Sequence, residues 1–187
     1  TGSAGTTSSG IFFGGKEGSP HLALTEKWDG TSWTEVSDLN QGRQYLGAAG
    51  LSADLALGFG GNTPSVTVNT ESWNGSAWTE VNDMNTATQT GALGGTSTAG
   101  FSAGGYVPGG ESDKMELWNG SSWTETTDMN TIRFYGASSN NAPYTATIVF
   151  AGSDNDSPLT FTANAETWDG SSWTEVGNLN DSRGELG

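Results

Sequence analysis

Cysteine is absent from this chain of 187 residues, which excludes disulfides, thiolate nucleophiles and cysteine-held metals. Histidine occurs once, as His21. One imidazole gives no basis for a Ser-His-Asp set, and zinc needs several such ligands. Lysine and arginine together number 6 against 21 acidic residues, for a net charge of −15. Binding a nucleic-acid backbone requires clustered cations, as does an anionic membrane surface, so neither partner is expected. The negative charge suits solubility or attraction of a basic partner. No apolar run approaches the length of a membrane-spanning helix, so no membrane insertion is expected.

What the chain does have is glycine, 29 residues, with 8 tryptophans and 7 phenylalanines in a composition only 33% hydrophobic. Disordered chains lack such aromatics, and a few large rings can carry a core. The tryptophans fall in a phrase written four times: Glu26-Lys-Trp-Asp-Gly-Thr-Ser-Trp33, Glu71-Ser-Trp-Asn-Gly-Ser-Ala-Trp78, Glu116-Leu-Trp-Asn-Gly-Ser-Ser-Trp123 and Glu166-Thr-Trp-Asp-Gly-Ser-Ser-Trp173. Each continues Thr-Glu and reaches an Asn at one offset, Asn40, Asn85, Asn130 and Asn180. The leading tryptophans, Trp28, Trp73, Trp118 and Trp168, are 45, 45 and 50 residues apart. A period of this size marks a repeat architecture. The units run over about 1–45, 46–90, 91–135 and 136–187, forming one domain.

Each unit reads as four short strands. A small-residue run comes first, then an apolar run ending in paired glycines, as in Phe13-Gly14-Gly15, Phe59-Gly60-Gly61 and Ala103-Gly104-Gly105. In the fourth unit this signal becomes Ala151-Gly152-Ser153. The Trp phrase supplies the last two strands. Its central Asn-Gly or Asp-Gly predicts a two-residue type I′ turn. That register pairs Trp73 with Ser76 and Glu71 with Trp78, with the tryptophans on one face. Asn74 and Asn119 also match glycosylation acceptors, but the turn accounts for both. One such sheet cannot bury both faces alone, so stacking about an axis is expected: an all-β, four-bladed β-propeller of four-stranded antiparallel blades.

The order Gly-Gly, Glu-x-aromatic, Trp, then Leu39, Met84, Met129 or Leu179, then Arg43, Arg133 or Arg183 resembles the kelch repeat. Thr88 stands where the second unit should have Arg, the hairpin is shorter than usual, and Trp replaces the customary Tyr. The phrases are also similar to kelch-like repeats of phage structural proteins. The resemblance implies a propeller in which the repeat glutamates Glu26, Glu71, Glu116 and Glu166 form buried pairs with the arginines. The glutamate near Thr88 would then take backbone or hydroxyl donors. Kelch propellers serve as enzymes, adaptors and adhesive modules, so the resemblance is silent on activity. Its copper-oxidase branch needs a Cys-linked Tyr that this chain lacks. Register glycines at Gly2, Gly47, Gly91, Gly136 and Gly187 put both ends of the chain in one register, which favours a closed four-bladed ring over a segment of a larger array.

Residues that recur build the scaffold; those that occur once are the better candidates for activity. Asp154, Asn155 and Asp156 cluster hard oxygens of the kind calcium takes. His21, Tyr106 and Pro108 are the contact-prone residues of loops that differ between units. Acids such as Glu35, Glu80, Glu125 and Glu175 recur, which points to a solvated face rather than to paired-carboxylate catalysis. The Asp-box of sialidases is not matched in spacing. The expected function is a non-enzymatic structural or binding module of an extracellular appendage, fibre or virion surface. Its expected partners are protein subunits, copies of itself among them. A carbohydrate-binding propeller and a protein-interaction adaptor are the alternatives.

Overall fold

The computed structural model describes residues 1–139, 144–156 and 158–184. The register glycine Gly187 lies outside them, as does the side chain of Asp156. No helix occurs among the described residues. The strands form four four-stranded antiparallel sheets, each a meander in chain order. The first contains β1 (Gly2–Thr6), β2 (Ser9–Lys16), β3 (His21–Trp28) and β4 (Trp33–Glu35). The second contains β5 (Gly47–Ser52), β6 (Leu55–Phe59), β7 (Thr70–Trp73) and β8 (Trp78–Glu80). The third contains β9 (Ala92–Thr96), β10 (Ala99–Val107), β11 (Gly110–Trp118) and β12 (Trp123–Glu125). The fourth contains β13 (Ala137–Ser138), β14 (Thr147–Phe150), β17 (Ala165–Trp168) and β18 (Trp173–Val176). Between β14 and β17 it carries an inserted hairpin, β15 (Ser153–Asp156) and β16 (Leu159–Phe161).

The leading strands β1, β5, β9 and β13 are built of small residues because they lie against one another in succession. A Cβ at Gly2 would meet the Phe13 ring at 2.5 Å, and one at Gly47 would meet Phe59 at 2.5 Å. Three hydrophobic clusters form the core, one between each pair of consecutive sheets. Phe13, Leu39, Trp73 and Trp78 anchor the first, Phe59, Met84, Trp118 and Trp123 the second, and Phe101, Met129, Trp168 and Trp173 the third. Each buried indole withdraws about 150–250 Å² from water, on the order of 4–6 kcal/mol as an upper bound.

The Trp hairpin differs from the two-residue turn expected of Asx-Gly. Trp73 lies directly opposite Trp78, and Glu71 opposite Glu80. The other three hairpins have the same register, so the loop has four residues. The Asx side chain is the cause. Asn74 Oδ1 accepts the N–H groups of Ser76 and Ala77, both at 3.0 Å, and Asp169 Oδ1 accepts those of Ser171 and Ser172, both at 2.8 Å. This side-chain cap replaces the tighter backbone turn, and only the Gly needs positive φ, 96° at Gly75. The paired indoles face each other with centroids 5.4–5.5 Å apart in all four hairpins.

A second correction concerns the glycine pair of the fourth sheet. Gly60 and Gly104 both have positive φ, and Ala151 takes that place with φ of 59°. The equivalence is therefore Phe150-Ala151-Gly152, one residue earlier than the Ala151-Gly152-Ser153 alignment read from the sequence.

Candidate functional site

The segment after each Trp hairpin joins one sheet to the next. Residues 36–46 hydrogen-bond through their backbone to the first sheet: Val36 N–H to Thr25, Leu39 N–H to Ala23 and Arg43 N–H to Leu22. Their side chains enter the second. Asn40 gives Glu71 Oε2 two hydrogen bonds, from its backbone N–H at 2.7 Å and its amide Nδ2 at 2.8 Å. Arg43 Nη2 reaches Glu71 Oε1 at 2.9 Å, and its Nη1 donates to the carbonyls of Asn69 at 2.6 Å and Gly60 at 3.1 Å. Both charged side chains are fully buried. The positive φ of Gly60 belongs to the residue whose carbonyl meets the guanidinium. Burial pushes the Arg43 guanidinium below its ordinary pKa, and Glu71 opposes that shift.

The third interface repeats this latch. Asn130 donates to Glu166 Oε2 from N–H at 2.8 Å and Nδ2 at 3.0 Å, and Arg133 Nη2 reaches Glu166 Oε1 at 3.2 Å. Arg133 Nη1 donates to the carbonyls of Ala151 and Asn164. The second interface has Thr88 instead of Arg. There Glu116 takes Asn85 N–H at 2.8 Å, Asn85 Nδ2 at 3.0 Å and Thr86 N–H at 2.7 Å. The Thr88 hydroxyl donates to the Gly104 carbonyl at 3.2 Å, and a void of about 10 Å³ lies beside Glu116. These pairs bridge sheets rather than strands of one sheet.

The expectation that each arginine lies buried against a repeat glutamate fails for Arg183 and Glu26. Arg183 is exposed and pairs with Asp181 at 3.5 Å. Glu26 is exposed on β3, and among the described residues no arginine reaches it. The tryptophans follow the same division. Trp78 Nε1 donates to the Thr25 hydroxyl of the preceding sheet at 3.0 Å, and Trp123 Nε1 to that of Thr70 at 3.0 Å. Met115 occupies the equivalent threonine position in the third sheet, and Trp173 Nε1 turns to the Thr127 carbonyl at 3.2 Å. Trp78, Trp123 and Trp173 are 6–7% exposed, whereas Trp33 is 53% exposed.

A cavity of about 600 Å³ is bounded by β1, β5, β9 and β13 and reaches the face of the first sheet at Phe12 and Trp33. Its lining is glycine, alanine, serine, threonine and a few apolar side chains. Among the described residues no Asp, Glu, His, Lys or Arg side chain lines it.

The once-only residues do not converge on this cavity. His21 is half-buried at the start of β3, opposite Lys16. Tyr106 is half-buried on β10, where its backbone exchanges hydrogen bonds with Gln89. Pro108 is exposed in the turn after β10. The calcium segment is the strand β15 rather than a loop. Asp154 Oδ1 accepts the Thr160 hydroxyl at 2.8 Å, and among the described residues no three His, Cys, Asp or Glu side chains group to hold a metal.

Two features were missed from the sequence. Asn40, Asn85 and Asn130 each place two donors on one carboxylate, and their recurrence was the available signal. Tyr45, Thr90 and Tyr135 all have positive φ of 55–58°. Their backbones are linked across sheets, Thr90 N–H to the Tyr45 carbonyl at 3.3 Å and Tyr135 N–H to that of Thr90 at 2.8 Å. Comparison of the chain with protein-family models and with curated proteins finds no match.

Proposed function

We propose that this chain is a non-enzymatic structural and binding module, a kelch-like β-propeller array whose four sheets serve as blades around the inner cavity. Its setting is the exposed surface of an extracellular appendage, fibre or virion, and its partners are other protein subunits. The observation that carries this reading is the lining of the cavity, where small residues of the leading strands stand in place of acids, bases or cation ligands. The repeat carboxylates Glu71, Glu116 and Glu166 are committed to the latches between sheets, which removes them from chemistry. The net charge of −15 suits a solvated exterior.

Immunogold electron microscopy on the native source tests the reading. Label along appendages, fibres or particle surfaces is the expected result, and label confined to a cell interior overturns it. Binding to defined sugars on a glycan array, lost on Trp33→Ala, would replace it with the carbohydrate-binding alternative. That alternative draws on the exposed rings of Phe12 and Trp33, which meet edge-on at 6.5 Å.

A further inference from the structure

We propose that the latch between the second and third sheets binds a monovalent cation of about the size of a water molecule, potassium or ammonium, in the void beside Glu116. The first and third latches carry their cation on the chain. In each, the guanidinium meets the carboxylate of the repeat glutamate, the carbonyl of a positive-φ residue after the apolar run, and the carbonyl two residues before the glutamate. For Arg43 these belong to Glu71, Gly60 and Asn69. For Arg133 they belong to Glu166, Ala151 and Asn164. The same three positions in the third sheet are Glu116, Gly104 and Lys114, and all three line the void.

Glu116 is buried without a counter-charge. It is 2% exposed, and its hydrogen bonds come from the neutral donors of Asn85 and Thr86. Among the described residues no lysine, arginine or histidine pairs with it. Those N–H groups leave part of its acceptor capacity, about four lone-pair sites, unused. Thr88 fills only part of the space. Its hydroxyl donates to the Gly104 carbonyl at 3.2 Å, and its oxygen keeps lone pairs for a cation. Lys114 stands where the other two latches have Asn69 and Asn164, but it is exposed and its ammonium turns to Glu125 on β12. A desolvated carboxylate without a cation is costly, so a positive guest stabilises this interface.

The size and charge of the site select the guest. A void of about 10 Å³ admits one water-sized particle. One carboxylate among carbonyl and hydroxyl oxygens matches a single positive charge. Magnesium keeps several of its waters and calcium takes a larger set of oxygens, and among the described residues no three His, Cys, Asp or Glu side chains group to hold such an ion. The joint between the second and third sheets therefore responds to the ions in solution, whereas the joints on either side of it hold an arginine in place. This inference stands apart from the structural-module reading, since it does not depend on where the protein is displayed.

Thermal unfolding of the full chain at a fixed chloride concentration of about 0.15 M tests it. The cation is potassium, ammonium or tetramethylammonium, the last being too large to enter. A midpoint about 2–4 °C higher in potassium or ammonium than in tetramethylammonium is expected, rising with the logarithm of the small cation's concentration. In Thr88→Arg the chain supplies its own cation, so the difference should vanish. In Glu116→Gln the anionic ligand is gone, and the difference should vanish there too. Co-crystals grown with thallium(I), which replaces potassium and scatters anomalously, should show a peak in contact with Glu116. Equal midpoints in all three salts overturn the proposal, as does a difference that persists in either variant. A void that holds water alone in the thallium co-crystals overturns it in favour of a hydrated carboxylate.

Discussion

Arg43, in the segment that leaves the first sheet, meets Glu71 of the second at 2.9 Å with both side chains out of solvent. Removing the cation leaves the carboxylate desolvated and held only by Asn40. Arg43→Met should therefore cost about 3–5 kcal/mol in urea unfolding. Adding Glu71→Gln should recover part of that loss, because the stranded charge is the larger penalty. A double variant no better than the single would show that lost packing, rather than the buried charge, sets the cost.

Thr88 leaves a void beside Glu116 where the other two interfaces carry a guanidinium. Thr88→Arg should raise stability by about 0.5–2 kcal/mol, read as a higher midpoint in thermal unfolding. A lowered midpoint would mean that the Thr86 N–H to Glu116 contact already satisfies the site.

The two tryptophans Trp33 and Trp78 hold equivalent places but differ in exposure, 53% against 6%. Trp78→Ala should cost about 3–5 kcal/mol, since it empties the pocket against Phe13 and frees the Thr25 hydroxyl. Trp33→Ala should cost under about 1 kcal/mol in a dilute monomer. Chemical denaturation of both variants at low protein concentration separates the cases.

Asp169 is held down to a pKa of about 2, first by the Ser172 N–H and then by the Ser171 hydroxyl and N–H. A depressed carboxylate contributes stability in full above its unfolded value, about 3.9, and loses it as pH falls through about 2. Carboxyl-carbon NMR titration should place the Asp169 midpoint well below that of an ordinary aspartate. Ser172→Pro, which removes the first donor, should raise it.

The strand content of this chain was legible because each strand type has its own local signature. Small residues mark β1, β5 and β9, apolar runs ending in glycine mark β2, β6 and β10, and the tryptophans mark the outer hairpins. The Glu–Arg relation was legible through the kelch resemblance for Arg43 with Glu71 and Arg133 with Glu166, but not for Arg183 and Glu26, which are both exposed; the Thr88 departure pointed Glu116 to backbone donors. The hairpin register was not legible. Asx-Gly fits both a two-residue turn and a four-residue loop capped by the Asx side chain, and only the geometry of Asn74 with Ser76 and Ala77 decides between them. The difference between Trp33 and Trp78 was hidden for another reason. Their local sequences match, and exposure depends on which sheet lies next door.

Each latch is written partly in one repeat and partly in the next: Asn40 and Arg43 before the boundary, Glu71 after it. A 45-residue unit is therefore not the unit that folds, although it is the unit that recurs. Deleting one whole unit, residues 46–90, would set Arg43 in line with Glu116 and bring matched partners together without any new side chain.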